Sequence, residues 1–336
     1  MNVLSLFDGM SCGQIALDQL NIPVKNYFAA EIDKYAIKVA QSNYPDMTHL
    51  GDVRNVQTSG DHLIDEFECG HKIDLLIGGS PCQGFSFAGK QLNFDDPRSK
   101  LFFEYVRLLK ALKPKYFLLE NVRMNKESMD VITEMLGVEP VAINSNLVSA
   151  QNRHRLYWTN IPMDNIPEDR GIVLADILET EPVDAHYEAG KHLVKNYKGG
   201  NQLNPKYKSQ ANTIHPLKGK VGALCAGTHG YGSGYIPTKS GLILAGHANL
   251  KGHSYNKRVY HPDGKGPSLC ASSGGNLEPK VTEDNTTWRK LTPLECERLQ
   301  TVPEGYTAHV SNTQRYRMLG NGWTVDVIKH IMKGMA

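Results

Sequence analysis

The first 160 residues alternate short apolar runs with amphipathic segments. Runs of four or five apolar residues predict buried strands, and the segments between them have helical periodicity. The predicted strands are Val3–Phe7, Tyr27–Ala30, Ile73–Ile77 and Tyr116–Glu120, and the predicted helices are Cys12–Leu20, Lys34–Ser42 and Lys100–Leu112. This alternation predicts an α/β fold, with a mostly parallel sheet covered by helices on both faces.

The pattern changes after about residue 162. Residues 189–281, called the basic lobe below, hold 16 of the 31 glycines of the chain. Segments 219–230 and 264–275 match at six of twelve positions, which predicts two similar hairpin or loop units in a smaller β-rich lobe. Helical signals return near the C-terminus, where Thr292–Glu295 has the form of a capping box.

These changes divide the chain into three segments, 1–161, 162–287 and 288–336. The tail Thr324–Met332 predicts a final helix. We expect the third segment to fold back onto the first, so that the two make one discontinuous domain around the β-rich second segment.

The charge is distributed unevenly. The basic lobe has 13 Lys or Arg residues against two acidic ones, a balance of +11, whereas the other residues carry −9. Such asymmetry predicts that one lobe meets a polyanion, although a solvated basic surface without a partner explains the charge alone equally well.

Cysteine usage and hydropathy exclude several classes of protein. The six cysteines are scattered without a CxxC pair, which argues against a disulfide framework and against a zinc site. No run of eighteen apolar residues occurs, and the first ten residues do not have the form of a secretion signal. We therefore expect a protein without a metal and without a membrane span, acting in the cytoplasm.

Three loops at predicted strand ends have the composition of a nucleoside-binding site. The loop 7–13 contains two glycines, follows a strand and opens a helix, so its backbone can approach a ligand. Glu31 ends the next strand, about 20 residues on, where an acid can bind ribose hydroxyls, and Asp52 forms a third element. The glycine loop alone also fits a nicotinamide- or flavin-binding oxidoreductase.

A cysteine follows the third predicted strand, in the loop 78–86. Most isolated cysteines are buried packing residues. Cys82, however, lies between glycines and a proline at a strand end, a placement that favours reactivity. The next strand ends in Glu120, which the same edge of the sheet would bring close.

The order and identity of these motifs resemble the cytosine-5 DNA methyltransferase family. VLSLFDGMSCG, GDVRNV, DLLIGGSPC, KLFFEYVRLL and LLENV especially resemble the catalytic domain of the animal de novo enzymes. Residues 151–155 match the Gln-x-Arg-x-Arg element of the family, 289–300 its helix near the C-terminus, and Gly320-Asn321 its closing Gly-Asn element. The similarity covers roughly residues 1–161 and 288–333.

Three motifs depart from the family pattern. Ser11 stands where many bacterial members carry glycine, and Ser80 where many carry phenylalanine. The final element is Gly-Asn-Gly-Trp-Thr-Val instead of Gly-Asn-Ser-Val.

The resemblance implies a Rossmann-like methyltransferase fold that binds S-adenosyl-L-methionine. It also implies that Cys82 is the catalytic nucleophile. Its thiolate would add to carbon 6 of a flipped-out cytosine and thereby activate carbon 5, while Glu120 holds a proton on N3. Arg153 and Arg155 would clamp the base or orient Cys82 and Glu120. The implied cofactor-binding residues are Phe7, Asp8, Gly9, Cys12, Gly13, Glu31, Ile32, Asp52, Val53, Ser80, Pro81, Asn321, Trp323 and Thr324.

Double-stranded DNA is the expected partner, since phosphates attract a basic lobe. The candidate DNA-binding residues are Gln83, Ser86, Lys218, Lys220, Lys257, Arg258 and Lys265. We expect a monomeric enzyme of bacterial or phage type, with any cognate restriction endonuclease acting separately. A tRNA cytosine-5 methyltransferase and a catalytically inactive DNA-binding homologue remain as alternatives.

Overall fold

A computed structural model describes residues 1–65, 67–80, 100–180, 191–194, 201–202, 213–214, 241–248, 250, 253–271, 277–282 and 287–335. The strands of the first lobe are β1 (Asn2–Leu6), β2 (Asn26–Ala30), β3 (Thr48–His49), β4 (Gln57–Ser59), β5 (His62–Ile64), β6 (Gly70–Lys72), β7 (Leu75–Gly78), β8 (Tyr116–Val122), β9 (Val141–Asn144), β10 (Gln151–Asn152) and β11 (His154–Thr159). Strands β4, β5 and β6 form a small antiparallel sheet that the apolar pattern did not predict.

The central sheet has seven strands in the order β3-β2-β1-β7-β8-β11-β9. The neighbours from β3 to β8 pair in parallel, whereas β11 is antiparallel to both β8 and β9. The predicted α/β fold with a mostly parallel sheet is therefore confirmed. The chain reverses its direction of strand addition between β1 and β7, which opens a crevice at their carboxyl ends.

Seven α-helices occur in the described residues: α1 (Cys12–Gln19), α2 (Lys34–Asn43), α3 (Lys100–Leu112), α4 (Lys126–Leu136), α5 (Pro293–Gln300), α6 (Asn312–Asn321) and α7 (Val325–Met332). Local sequence sets several of their ends. The Asp33 carboxylate accepts two backbone N–H groups at the start of α2, and Gly137 ends α4 with a φ of 71°. The predicted capping box of α5 is confirmed, because Thr292 and Glu295 accept each other's backbone N–H.

The two faces of the sheet bury separate apolar clusters. Leu75 and Ile77 pack on the face that holds α1 and α7, and Leu76 between them packs on the face that holds α3 and α4. This alternation follows from the two-residue period of a strand. Both faces are covered, which explains why the strands are continuous apolar runs in the sequence.

The C-terminal segment lies against the first lobe. Ile15 of α1 and Ile328 of α7 belong to one buried cluster. The Tyr306 hydroxyl donates to the backbone oxygen of Met10 at 2.7 Å. Nothing in these contacts fixes the division at residues 161 and 287, which stays a prediction.

The described strands between Lys191 and Lys290 form a small β structure, and the last of them crosses the predicted boundary at residue 287. They are β12 (Lys191–Val194), β13 (Asn201–Gln202), β14 (Thr213–Ile214), β15 (Leu244–Ala248), β16 (Arg258–Tyr260), β17 (Gly266–Pro267), β18 (Lys280–Val281) and β19 (Thr287–Lys290). Strands β12, β15, β16, β18 and β19 close into a barrel, and β17 pairs with β10 of the first lobe. The first copy of the repeat, 219–230, lies outside the described residues.

The longest described helix, α3, has 13 residues, and none of the described helices could cross a membrane. The described residues also contain no cluster of three or more His, Cys, Asp or Glu side chains that could hold a metal ion.

Candidate active site

Parallel pairing aligns the carboxyl ends of four strands, β1, β2, β7 and β8. Leu6 is in register with both Ala30 and Gly78, and Gly78 is in register with Leu119. The residues that follow these positions therefore meet at one edge of the sheet. They are the loop after β1, Glu31, the start of the loop after β7, and Glu120.

The loop after β1 has an unusual backbone. Phe7, Gly9 and Ser11 have φ values of 56°, 60° and 63°, in the left-handed region that costs energy for residues other than glycine. Ser11 is the position where many bacterial members of the family that the sequence resembles carry glycine, and its φ is one that glycine adopts without strain. The Gly9 N–H donates to Oε2 of Glu31 at 2.8 Å, which holds the loop against the end of β2.

Asp8, a residue of this loop, makes hydrogen bonds inside the protein. Its carboxylate accepts hydrogen bonds from the hydroxyls of Ser11 and Tyr27, the latter at 2.8 Å. Burial raises the pKa of Asp8 to about 6, although both hydrogen bonds act in the opposite direction. Through these internal contacts the Asp8 side chain stabilises the conformation of the loop.

Cys12 and Gly13 have packing roles at the start of α1. A Cβ on Gly13 would clash with Cδ1 of Ile77, so glycine lets the helix approach the sheet closely. Burial raises the pKa of the Cys12 thiol to about 12, which keeps it a neutral thiol. If these two residues contact the cofactor, they therefore do so through their backbone atoms.

Several features at the ends of β2 and β3 fit an adenosyl group. Ile32 is 73% exposed although it is apolar, and it follows Glu31, whose Oε1 accepts the N–H groups of Ile32 and Asp33. Both ring nitrogens of His49 are buried without a hydrogen-bond partner. An exposed apolar side chain beside a carboxylate and an unsatisfied imidazole would suit a purine and a ribose.

The structure gives the predicted residues Asp52 and Val53 different environments. Val53 is buried, whereas the Asp52 carboxylate accepts hydrogen bonds from the Arg54 side chain and from its backbone N–H. The Arg54 side chain is the main reason that the pKa of Asp52 falls to about 2. Asp52 is therefore ionised at neutral pH.

Glu120 is held at both carboxylate oxygens. Nε of Arg155 lies 2.9 Å from Oε1, and Nε1 of Trp323 donates to Oε2 at 3.2 Å. Strand register explains the first contact, because Arg155 pairs with Val122 and therefore lies diagonally across from Glu120 on the same face. Two predicted catalytic residues and one predicted cofactor-binding residue thus form a single group.

The backbone that leads to Cys82 starts beside this group. A Cβ on Gly79 would lie 2.9 Å from Nε1 of Trp323 and 3.1 Å from Oε2 of Glu120. Ser80 is buried, and its hydroxyl and backbone oxygen accept hydrogen bonds from the Asn121 amide. The predicted residues Pro81, Cys82, Gln83 and Ser86 lie outside the described residues.

Arg153 has a different place from the one predicted. The sequence assigned it to the base or to Cys82 and Glu120, but its guanidinium donates to the backbone oxygens of Leu269, Gly320 and Gly322. It is only 3% exposed, and burial lowers its pKa to about 10. Together with a hydrogen bond to the Ser268 hydroxyl, these contacts make Arg153 a connection between the basic lobe and the C-terminal loop, and its role toward the base stays a prediction.

The other residues of the closing element differ in accessibility. Asn321 is exposed at the end of α6. Thr324 is buried, and its hydroxyl accepts from Ser145 and donates to Gln300, both at 2.9 Å. That hydroxyl is occupied within the protein, which argues against the predicted cofactor contact from the Thr324 side chain.

The candidate DNA-binding residues of the basic lobe also differ in their exposure to solvent. Arg258 is exposed and stacks over the Tyr255 ring at 5.2 Å, and Lys257 is partly exposed beside it. Lys265 does not fit the prediction, because its buried ammonium group donates to the backbone oxygens of Asn146, Ser149 and Ile172. Lys218 and Lys220 lie outside the described residues.

Sequence reasoning missed three residues of the site. Asn121 anchors Ser80, His49 contributes unsatisfied nitrogens, and Gln300 donates to the Gly322 backbone oxygen at 3.1 Å. The Glu-Asn-Val motif contained a signal for Asn121, whereas nothing local distinguishes Gln300 from other helical residues.

The chain is similar to known proteins over its full length. The profile of the family described as C-5 cytosine-specific DNA methylase matches residues 1–336. The chain is 30% identical to the type II methyltransferase M1.ScrFI of Lactococcus lactis subsp. cremoris, over 99% of this chain and 77% of that protein. It is 28% identical to the orphan methyltransferase M.Rho11sI of Bacillus phage rho11s, over 99% and 97% of the two chains.

Two solved structures show the same fold. A putative DNA modification methyltransferase encoded within an E. coli prophage superposes with a TM-score of 0.64 at 23% identity, covering 100% of this chain and 98% of that one. The S. pombe Dnmt2 methyltransferase gives a TM-score of 0.62 at 18% identity, over 100% and 99%. The Rossmann-like fold predicted for a methyltransferase dependent on S-adenosyl-L-methionine is thereby confirmed. With its full length matched, this chain belongs to the C-5 cytosine-specific DNA methylase family.

Proposed function

We propose that this enzyme methylates carbon 5 of a flipped-out cytosine in duplex DNA through a transient covalent bond between Cys82 and carbon 6 of the base. The observation that carries the proposal is the group formed by Glu120, Arg155 and Trp323 beside Gly79. The carboxyl group of Glu120 lies beside Gly79, which precedes the candidate nucleophile by three residues at the carboxyl edge of the sheet. S-adenosyl-L-methionine supplies an electrophilic methyl group there.

The crevice between β1 and β7 suits the cofactor. Glu31 and Ile32 would hold the ribose and the purine, and the backbone of the left-handed loop 7–11 would approach the rest of the molecule. Asp52, ionised by its contact with Arg54, would lie at the outer end. The buried hydroxyl of Thr324 supports the fold of the closing loop instead of contacting the cofactor.

Cys82 would act as the nucleophile because carbon 5 of cytosine is otherwise unreactive. Addition of the thiolate to carbon 6 makes carbon 5 an enamine carbon that can accept a methyl group. An ordinary thiol has a pKa of about 8.5, so the thiolate needs a nearby positive charge or peptide dipole. Removal of the carbon 5 proton then lets the sulfur leave.

Glu120 would place a proton on N3 of the base, where negative charge develops as the thiolate adds. Arg155 holds one oxygen of its carboxyl group and thereby fixes the orientation of the other. The target base must leave the helix to reach this site, at a cost of a few kcal/mol. Contacts between the basic lobe and phosphates would offset that cost, and Lys257 and Arg258 are the described candidates.

Sequencing of bisulfite-treated DNA from cells that express the protein tests this function. We expect protected cytosines at one recurring short sequence, and none in cells expressing Cys82→Ala. Methylation of tRNA without methylation of duplex DNA would assign the chain to an RNA-modifying activity. Loss of both activities in the purified protein, with duplex binding intact, would instead indicate an inactive DNA-binding homologue.

A further inference from the structure

Trp323 follows Gly322 in the closing Gly-Asn-Gly-Trp element, and its indole ring reaches the carboxylate of Glu120. Nε1 of Trp323 donates to Oε2 of Glu120 at 3.2 Å. The opposite oxygen, Oε1, is held by Arg155. Each carboxyl oxygen keeps a second lone pair that can hold a proton, so these two contacts leave Glu120 able to carry the proton that N3 receives.

We propose that Trp323 is a positioning residue that fixes the carboxyl group of Glu120 for its contact with the target cytosine. This proposal rests on the proposed function of Glu120. It goes beyond a cofactor-binding role, since the indole ring contacts the catalytic acid of the same reaction.

The indole ring can set the carboxyl group because the loop that carries it is itself held. The backbone oxygen of Gly322 accepts hydrogen bonds from Arg153 and from Gln300. On the other side, the buried Thr324 hydroxyl joins Ser145 and Gln300. Trp323 therefore lies between two anchored neighbours.

Gly79 lies beside the hydrogen bond between Trp323 and Glu120. A Cβ at this position would lie 2.9 Å from the indole nitrogen and 3.1 Å from Oε2 of Glu120. Real Cβ atoms are rarely that close to such neighbours, so a side chain here would push the donor and the acceptor apart. The glycine before Ser80 thus leaves the space in which the hydrogen bond forms.

A single-atom replacement tests the proposal. Site-specific incorporation of β-(3-benzothienyl)alanine at position 323 keeps the ring shape and removes only the N–H donor. We expect the single-turnover rate of methyl transfer to duplex DNA to fall about tenfold, the usual size for losing one hydrogen bond to a charged group. We expect the Kd for S-adenosyl-L-methionine to change by less than about twofold, since ring shape and backbone are preserved.

The same replacement at Trp158 is the matched control. The Trp158 indole also donates a hydrogen bond, to the Thr133 hydroxyl at 2.9 Å, but it pairs with Leu119 and packs on the opposite face of the sheet from Glu120. We expect that protein to keep its transfer rate. An unchanged rate for the protein substituted at position 323, or an equal loss for the one substituted at position 158, would overturn the proposal.

A second readout does not depend on activity. In a ¹⁵N spectrum of the indole groups, Glu120→Gln should shift the Trp323 signal and leave the Trp158 signal in place. An unmoved Trp323 signal would contradict the contact itself. If the wild-type protein transferred no methyl group to DNA, the proposed function would fail, while this spectrum would still decide whether Trp323 holds Glu120.

Discussion

Arg155 and Glu120 lie diagonally across the antiparallel pair β8 and β11, with Nε of the arginine 2.9 Å from Oε1 of the glutamate. Both side chains are mostly buried, at 16% and 11% exposure. Strand register thus fixes this ion pair at the edge of the sheet where the loop that carries Cys82 begins. Glu120, the acidic member of this pair, is the residue proposed to place a proton on N3 of the base.

Glu120→Gln should slow single-turnover methyl transfer by roughly 10²–10⁴-fold, the range for loss of a general acid. The amide cannot deliver a proton to N3, but it has nearly the same shape, so DNA affinity should change little. Rapid-quench measurements with radiolabelled cofactor would give the rate. Glu134→Gln, at an exposed position of α4, is the control. A variant at position 120 that matched the control would refute the role of Glu120.

Arg153→Met should destabilise the protein by about 2–4 kcal/mol, because three backbone oxygens would lose a charged donor in a buried site. Urea denaturation followed by fluorescence would measure the free energy of unfolding. Arg258→Met, at an exposed position, should change it by less than about 0.5 kcal/mol. Equal stability of the two variants would contradict the connecting role of Arg153.

Asp8→Asn should alter the pH dependence of stability. Burial raises the pKa of Asp8 from 3.8 to about 6 in the folded protein, so the folded state binds more protons than the unfolded state between these values. The wild-type protein therefore loses stability relative to the variant as the pH rises through this window. Urea denaturation of both proteins at several pH values from about 4 to about 7 would show this trend. A constant difference would argue against the raised pKa.

Lys257→Ala/Arg258→Ala should weaken DNA binding in a salt-dependent way. Each lost phosphate contact should reduce the slope of log K against log salt by about 1, so the double variant should lose about 2. Lys110→Ala/Lys115→Ala removes two exposed cations near the opposite edge of the sheet and should keep the wild-type slope. Equal slopes for the two double variants would place the DNA elsewhere.

Much of the fold could be predicted because local sequence dictates it. The buried strands are unbroken apolar runs, and the capping box at Thr292 marks the start of α5 by its side chains alone. The small β4–β6 sheet escaped prediction because its strands have only three residues each. Such short strands leave no periodicity to detect.

Site residues were predictable where a strand end placed them, and not where contacts between distant segments decide their role. Glu120 follows an apolar run, so its place at the carboxyl edge could be expected. The sequence assigned Arg153 to the active site and Lys265 to DNA, yet both are buried against backbone oxygens from segments far away in the chain. Their environment depends on how the lobes pack, which no short window of sequence records.

The most direct test of the account is a duplex in which 5-fluorocytosine replaces the target base, incubated with the protein and S-adenosyl-L-methionine. Fluorine cannot leave as a proton would, so the bond to the enzyme should persist. We expect a denaturation-resistant adduct that peptide mapping assigns to Cys82, and none with Cys82→Ala. Methylation of the normal duplex without an adduct on the fluorinated one, or an adduct at the exposed Cys69 or Cys270, would contradict the mechanism.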